Sequence, residues 1–308
     1  MWFRNARLYD LALTAELRQL FASEQRLEEA LGGCAFRPCT AQERVSCGFA
    51  PLYGSGSPLY SFSHGGCHYL RLTEEAKLLP ASVVRTRLEE LVAEKSAALG
   101  RELRRDEIEQ HKSALITQLV AQAFAQRRDT YIWVNAARGF CAVSASSARR
   151  AENALACVRE ALGGSFPARS FTPRCAIEER MTSWIDPEGL PQIFELGSDV
   201  TLRSADDGGA TVRMSRQDLS SDEVFAHIRA GKVATDLQLT FEDKATVVLG
   251  SDLSLRRISV LGEYIERGLD ARPHDEIAAA QAIMILQSQL LTELSEAVVR
   301  VFDCERQD

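Results

Sequence analysis

Tyr131-Ile132-Trp133-Val134-Asn135-Ala136-Ala137-Arg138-Gly139-Phe140-Cys141-Ala142-Val143 decides the fold class. Two short runs of β-branched, aromatic and small apolar residues flank a glycine-containing turn, which is the signature of a β-hairpin. On its C-terminal side, Ser146 or Ser147 caps a helix that runs to about Leu162 and ends at Gly163-Gly164. On its N-terminal side, Pro80 opens a long helical region with Val84, Leu88, Leu91 and Val92 on one stripe and a break at Gly100. A second helix is expected from Arg101 to about Gln126, roughly 39 Å long at 1.5 Å per residue. The middle of the chain therefore reads helix–hairpin–helix.

Working outward, Leu8 to Leu13 reads as a strand. A helix follows from about Ala15 to Leu31, with Leu17, Leu20, Phe21, Leu27 and Leu31 near a 3.6 period and Gly32-Gly33 stopping it. Residues 34–68 are rich in turn formers and read as short strands and loops. Beyond residue 175 the pattern favours strands. Val200–Arg203 and Ala210–Met214 flank Asp206-Asp207-Gly208-Gly209 as a second hairpin. Ser220 with Glu223 forms a capping box for a helix closed by Gly231. Leu237, Leu239 and Phe241 alternate with polar residues, and 245–249 and 255–261 follow as a meander. A last helix spans about His274 to Phe302. Strand runs and helix runs do not alternate as βαβ units, so the class is α+β with antiparallel sheets and long helices.

The 308 residues are 45% hydrophobic and 26% charged, which fits a globular protein and not a disordered tail or a rod. No stretch reaches the roughly 20 apolar residues that span a bilayer, and the N-terminus lacks a signal-peptide core, so a cytosolic protein is expected, with no membrane partner. The eight cysteines are scattered without a CxxC and read as thiols, mostly small buried groups. Net charge is −7 but uneven. Residues 1–76 carry 7 Lys+Arg against 8 Asp+Glu, 77–174 carry 16 against 10, and 175–308 carry 13 against 25. An N-terminal α+β segment, a basic centre and an acidic C-terminal α+β region are expected on those boundaries.

No glycine–lysine phosphate loop and no dinucleotide fingerprint is present. His64-Gly65-Gly66-Cys67-His68 offers three competent zinc ligands, but no cysteine stands at a finger spacing for a fourth. A glycine turn with incidental His and Cys explains it as well, and no metal or other cofactor is expected. Glu74-Glu75 and Glu178-Glu179 are adjacent, so their side chains diverge. Nothing points to an enzyme.

The basic centre is the feature left to explain. On the second long helix, Arg101, Arg105 and Lys112 fall within about 40° of one another at 100° per residue, with Arg104 beside them and Arg127 and Arg128 at its end. Such a face can track phosphates, each contact releasing counterions. Glu102, Asp106, Glu107 and Glu109 are interleaved, and an Arg105–Glu109 pair on a solvated helix reads as well. Arg149 and Arg150 add charge at the start of the next helix.

Several stretches, in order, resemble the bacterial recombination-associated RdgC family. These are Met1-Trp2-Phe3-Arg4-Asn5 with Tyr9, Phe36-Arg37-Pro38-Cys39, Leu79-Pro80, Ser147-Ala148-Arg149-Arg150-Ala151-Glu152, Arg216-Gln217-Asp218-Leu219 with His227-Ile228 and Ala230-Gly231-Lys232-Val233, and Leu255-Arg256-Arg257. The resemblance implies a non-enzymatic, nucleoid-associated protein with an elongated or horseshoe-shaped protomer. Two copies would close into a ring-shaped homodimer around double-stranded DNA, with little sequence preference, and restrain RecA-promoted strand exchange. It implies Phe124 as an aromatic dimer contact, Arg216 and Gln217 as a polar pair near that contact, and Arg101 as a basic position associated with DNA. By the residues alone, Phe124 reads as an ordinary core aromatic following Leu119 and Val120, and Gln217 equally as a turn residue after a strand. Two departures stand out. The family's Pro-Arg-Ala-Phe reads Ala121-Gln122-Ala123-Phe124 here, and its lysine-rich helix is more acidic. A protein-interaction scaffold with an acidic docking surface, or a metal-dependent enzyme around His64, Cys67 and His68, are the other classes.

Overall fold

A computed structural model describes residues 2–204, 209–269 and 275–307. Met1, Asp206-Asp207-Gly208 of the second expected hairpin turn, and His274 at the expected start of the last helix, lie outside the described residues.

In chain order the strands and helices are β1 (Ala6–Leu11), α1 (Ala15–Phe21), α2 (Glu24–Gly33), β2 (Val45–Phe49), β3 (Ser61–His64), β4 (Cys67–Lys77), α3 (Ala81–Leu99), α4 (Arg105–Gln122), β5 (Ala125–Asn135) and β6 (Phe140–Val143). They continue with α5 (Ala148–Ala161), β7 (Ala168–Ser170), β8 (Thr172–Pro173), α6 (Ile177–Ser183), β9 (Phe194–Ser204), β10 (Thr211–Met214) and α7 (Asp222–Arg229). The last are β11 (Lys232–Phe241), β12 (Ala245–Gly250), β13 (Ser254–Val260), α8 (Gly262–Gly268), α9 (Glu276–Val301) and β14 (Cys304–Glu305). Among the described residues the strands pair antiparallel in register after register, with one isolated parallel bridge between Ala35 and Phe49, so the α+β class holds.

The chain forms two compact units. The first comprises 1–33, 51–71 and 130–308; the second comprises 34–50 and 72–129. In the first, the strand order is β10-β9-β11-β12-β13-β1-β6-β5, with β7 also on β1 and β3 on β4. The expected hairpin forms as β5–β6, with Ile132 opposite Val143 and Asn135 opposite Phe140. Gly139 takes φ +68 in its turn, a left-handed conformation that glycine adopts without a Cβ penalty. Leu237, Leu239 and Phe241 alternate inward along β11 as their period of two requires. They join one continuous core with Phe194, Val200, Trp184 and Phe302.

Helix α9 lies on that core. By length and composition its 26 residues would suffice to cross a bilayer, which revises the sequence expectation. Its polar side chains show why it belongs inside a protein. Gln287 accepts from the Phe3 backbone N–H at 2.7 Å and donates to the Tyr69 hydroxyl, Ser288 accepts from the Trp133 indole, and Thr292 accepts from Asn135. Buried polar atoms so partnered carry little desolvation cost.

Three local expectations change and one holds. The helix over 15–31 is two helices: Ser23 caps the second by accepting from the Arg26 N–H at 3.4 Å. Helix α5 starts as expected, with the Ser147 hydroxyl accepting from the Arg150 N–H. The N-cap of α7 is Ser221, not Ser220, and no side chain caps it, so the capping box is not formed. Of the eight cysteines, only Cys67, Cys141 and Cys304 are buried.

The second unit contains β2, the C-terminal part of β4, α3, α4 and the start of β5. Strand β2 pairs with β4, Phe49 opposite Leu72. Gly48 is required there, since a Cβ would come within 2.6 Å of the Phe36 backbone. Gly100 ends α3 at φ +64. Helix α4 runs from 105 to 122, about 27 Å, and is shorter than expected at both ends. At its start the Glu107 carboxylate turns back to accept from the Arg104 N–H at 2.8 Å. At its end Ala123 leaves the helical region, and the Phe124 carbonyl accepts from Leu78 N–H at 2.7 Å, which starts β5.

Candidate nucleic-acid interface

The basic residues read from the sequence separate into two groups. The first group is spent on internal partners. Arg101 precedes α4 and so shares no helix face with Arg105 and Lys112, which corrects the face arithmetic. It holds both oxygens of Glu107, at 2.8 and 2.9 Å. The pair draws the Glu107 carboxyl down to about 2, first through the Arg101 hydrogen bonds and then through the Arg104 N–H. Lys112 pairs with Glu109 at 3.2 Å, in place of the expected Arg105–Glu109 pair.

Arg127 and Arg128 lie on β5, not at the end of α4. The Arg127 guanidinium donates to Glu75 at 2.6 Å and stands 5.3 Å from the centre of the Phe36 ring. Glu75 is buried, also accepts from the Cys39 N–H, and has its carboxyl held below the ordinary range, chiefly by Arg127. Arg127, though its side chain is exposed, therefore ties the start of β5 to Glu75 on β4 and to Phe36. Arg150 is half-buried and donates to the Thr130 hydroxyl at 2.9 Å.

The second group is exposed. Arg104, Arg105 and Arg149 make no side-chain hydrogen bond or ion pair among the described residues, and Arg128 touches only the Gln126 amide. Three of these four, Arg104, Arg105 and Arg128, belong to the second unit. That unit carries 12 Lys+Arg against 11 Asp+Glu, while the first carries 24 against 32. The basic excess of 77–174 is therefore not concentrated on α3 and α4. Residues 130–174 alone hold 6 Lys+Arg against 2 Asp+Glu.

Phe124 is 86% exposed, so it is not a core aromatic. Leu78 and Val45, on neighbouring chain segments of the second unit, are also exposed. Exposed apolar side chains grouped in this way are a common feature of contact surfaces. Arg216 and Gln217 lie in the first unit, after β10. Arg216 adopts φ +56, a strained conformation for a residue with a Cβ, pinned by Asp199, which accepts from its N–H at 3.1 Å. Gln217 donates to Ser221 at 3.3 Å, a turn contact.

The metal-like cluster does not assemble. His64 is exposed, while His68 is buried, with its Nδ1 2.8 Å from the Ser63 hydroxyl and its ring 4.9 Å from that of Phe21. Burial holds the His68 pKa down at about 4. Among the described residues no three His, Cys, Asp or Glu side chains are grouped to hold a metal ion.

A family model described as "Putative exonuclease, RdgC" matches residues 1–305. Proteins named "Recombination-associated protein RdgC" match along nearly their whole length. That of Tolumonas auensis is 31% identical over 306 residues, covering 99% of each chain. That of Sodalis glossinidius is 32% identical over 294 residues, 96% of this chain and 94% of its own. That of Yersinia enterocolitica is 29% identical over 307 residues, 100% of this chain and 99% of its own. A family match over residues 1–305, together with relatives about 30% identical along nearly the whole chain and so across both compact units, makes this chain a member of the recombination-associated RdgC family.

Proposed function

We propose that this protein binds duplex DNA with little sequence preference, encircling it as a ring-shaped homodimer, and thereby restrains RecA-dependent recombination at the nucleoid. The recombination association of the family supports the setting. The observation that carries the reading is the set of exposed guanidiniums that form no ion pair within 4 Å among the described residues, Arg104, Arg105 and Arg128, on a unit whose other cations are largely paired. Guanidinium forks suit phosphate oxygens. Phe124, Arg216 and Gln217 are the dimer-contact residues of this proposal.

The test is a gel-shift titration on linear duplex at two salt concentrations, with a mass measurement of the free protein. Each phosphate neutralised contributes about −0.9 to the slope of log K against log salt, so three arginines per protomer give about −5 for a dimer. The triple variant Arg104→Glu, Arg105→Glu, Arg128→Glu should fold normally and lose most of that slope. Affinity indifferent to salt refutes the proposal.

The exonuclease in the family model's name favours a second reading, a nuclease. Nucleases that use two metals bring carboxylates together around them. Incubation with linear duplex and Mg2+ or Mn2+ decides it: release of mononucleotides establishes a nuclease, and intact DNA leaves the binding role.

A further inference from the structure

Within the first unit, a cleft of about 410 Å3 opens between the start of α1 and the β5–β6 turn. Three arginines line it, Arg18, Arg138 and Arg306, together with Gln307 and the small apolar surfaces of Leu13 and Ala137. Among the described residues no carboxylate lines it, the Asp10 carboxylate lying beneath, bonded to Arg306 and the Gln307 N–H. That is a local reversal of sign in a unit where acids outnumber bases, 32 to 24.

The floor of the cleft is built. Arg306 Nε donates to Asp10 at 2.8 Å, its Nη2 donates to the Arg138 and Gly139 carbonyls at 2.8 Å each, and its plane lies 4.1 Å over the Phe140 ring centre. Asp10 is buried and also accepts from the Gln307 N–H. Arg306 is thus fixed on four sides, while its Nη1 makes no hydrogen bond among the described residues. A Cβ on Gly139 would come within 2.8 Å of Arg306 Nη2 and 2.9 Å of the Leu11 carbonyl, so this seat exists only because residue 139 is glycine. Above it, Arg18 has no side-chain partner among the described residues, and Arg138 only a long 3.8 Å approach to Glu296.

We infer that this cleft is a binding site for a phosphorylated small molecule of mononucleotide size, its phosphate held by Arg18, Arg138 and the Nη1 of Arg306. A fixed guanidinium with a spare donor and two more on the walls match a multiply charged oxyanion. The volume exceeds what one phosphate needs and falls in the range of ligand pockets, and the apolar wall can receive the rest of a nucleotide. None of these three arginines belongs to the set assigned to DNA, so the site stands independently of that reading.

Calorimetric titration of the full chain with ATP and with inorganic pyrophosphate tests it. One ATP per chain is expected, with pyrophosphate weaker by about tenfold for want of wall contacts. The exposed pair Arg18→Gln and Arg138→Gln, made together, should keep the wild-type melting temperature and weaken ATP by about 100-fold, at about tenfold for each lost charged fork. Arg138→Lys, which retains charge without the fork, should fall between. No heat from either probe at millimolar concentration overturns the inference, as does unchanged ATP affinity in the double variant. Loss of duplex-DNA binding in that variant, with no ATP bound by the wild type, would assign the cleft to DNA and equally overturn it.

Discussion

The two compact units bury very different things. The first hides Trp133, Trp184, Tyr69 and Phe140 almost completely and threads α9 through its core with hydrogen-bonded polar residues. The second buries few apolar side chains, among them Phe49, Leu72, Leu115 and Val120, buries nothing fully on α3, and leaves Phe124 in solvent. Its helices are laced with exposed pairs such as Arg101–Glu107, Lys112–Glu109 and Arg87–Glu90. Surface pairs contribute little stability, whereas buried apolar area contributes much. The contrast teaches that the first unit is made to persist and the second to present a surface.

The largest expected effect tests that contrast directly. Trp184 packs against Phe302 and Phe194, with ring centres 5.2 and 5.9 Å away. Trp184→Ala should destabilise the protein by about 3–5 kcal/mol in chemical denaturation. Leu91→Ala, on the half-buried stripe of α3, should cost about 1 kcal/mol or less. Equal losses would break the comparison.

Next in size is a pH effect confined to the first unit. His68 has a folded pKa of about 4, below the ordinary 6.5, because burial penalises its charged form. The unfolded chain therefore binds the extra proton as pH falls. Stability is fully present above pH 6.5 and is lost progressively down to about pH 4, by about 3 kcal/mol for this group. The difference in melting temperature between wild type and His68→Phe should narrow over that window. A difference constant with pH would mean His68 is not buried neutral.

Phe124→Ser sharpens the other side. At 86% exposure the residue supports little of its own unit, so the unfolding free energy of dilute protein in chemical denaturation should change by no more than about 0.5 kcal/mol. Under the proposed dimer the same variant should shift the mass measurement toward monomer. A large loss of stability with unchanged mass would return Phe124 to a core role.

Much of the first unit was legible in the sequence because its signals are local. The β5–β6 hairpin, the inward alternation of Leu237, Leu239 and Phe241, and the Ser147 cap each follow from residues within a few positions. The second unit was less legible because its decisions are made at a distance. Nothing near Arg127 reveals that its partner is Glu75, 52 residues earlier, or that Leu78 N–H captures the Phe124 carbonyl and turns the expected helix end into strand. Helical periodicity also fails at Arg101, where alternating charges leave no apolar stripe to mark the boundary. The cleft around Arg306 joins residues almost the full chain apart, so no motif could announce it.

The smallest effect is the most local. Glu107 accepts from Arg101 and from the Arg104 N–H, and so caps α4 while cancelling one of the cations read as a DNA contact. Its carboxyl accordingly sits near 2, and the pair persists until acid reaches that value. In Arg101→Gln the principal cause of the shift is gone, and the Glu107 carboxyl should titrate closer to the ordinary 4.5 while remaining somewhat low through its backbone bond. A carbon-detected NMR titration of the side-chain carboxyls reads this directly. Salt should reproduce part of the rise, because an exposed pair is screened while a buried one is not. If duplex DNA competes for Arg101, adding it to wild type should raise the Glu107 value as well. A carboxyl unmoved by DNA would leave Arg101 a helix-capping residue, and the phosphate contacts with Arg104, Arg105 and Arg128.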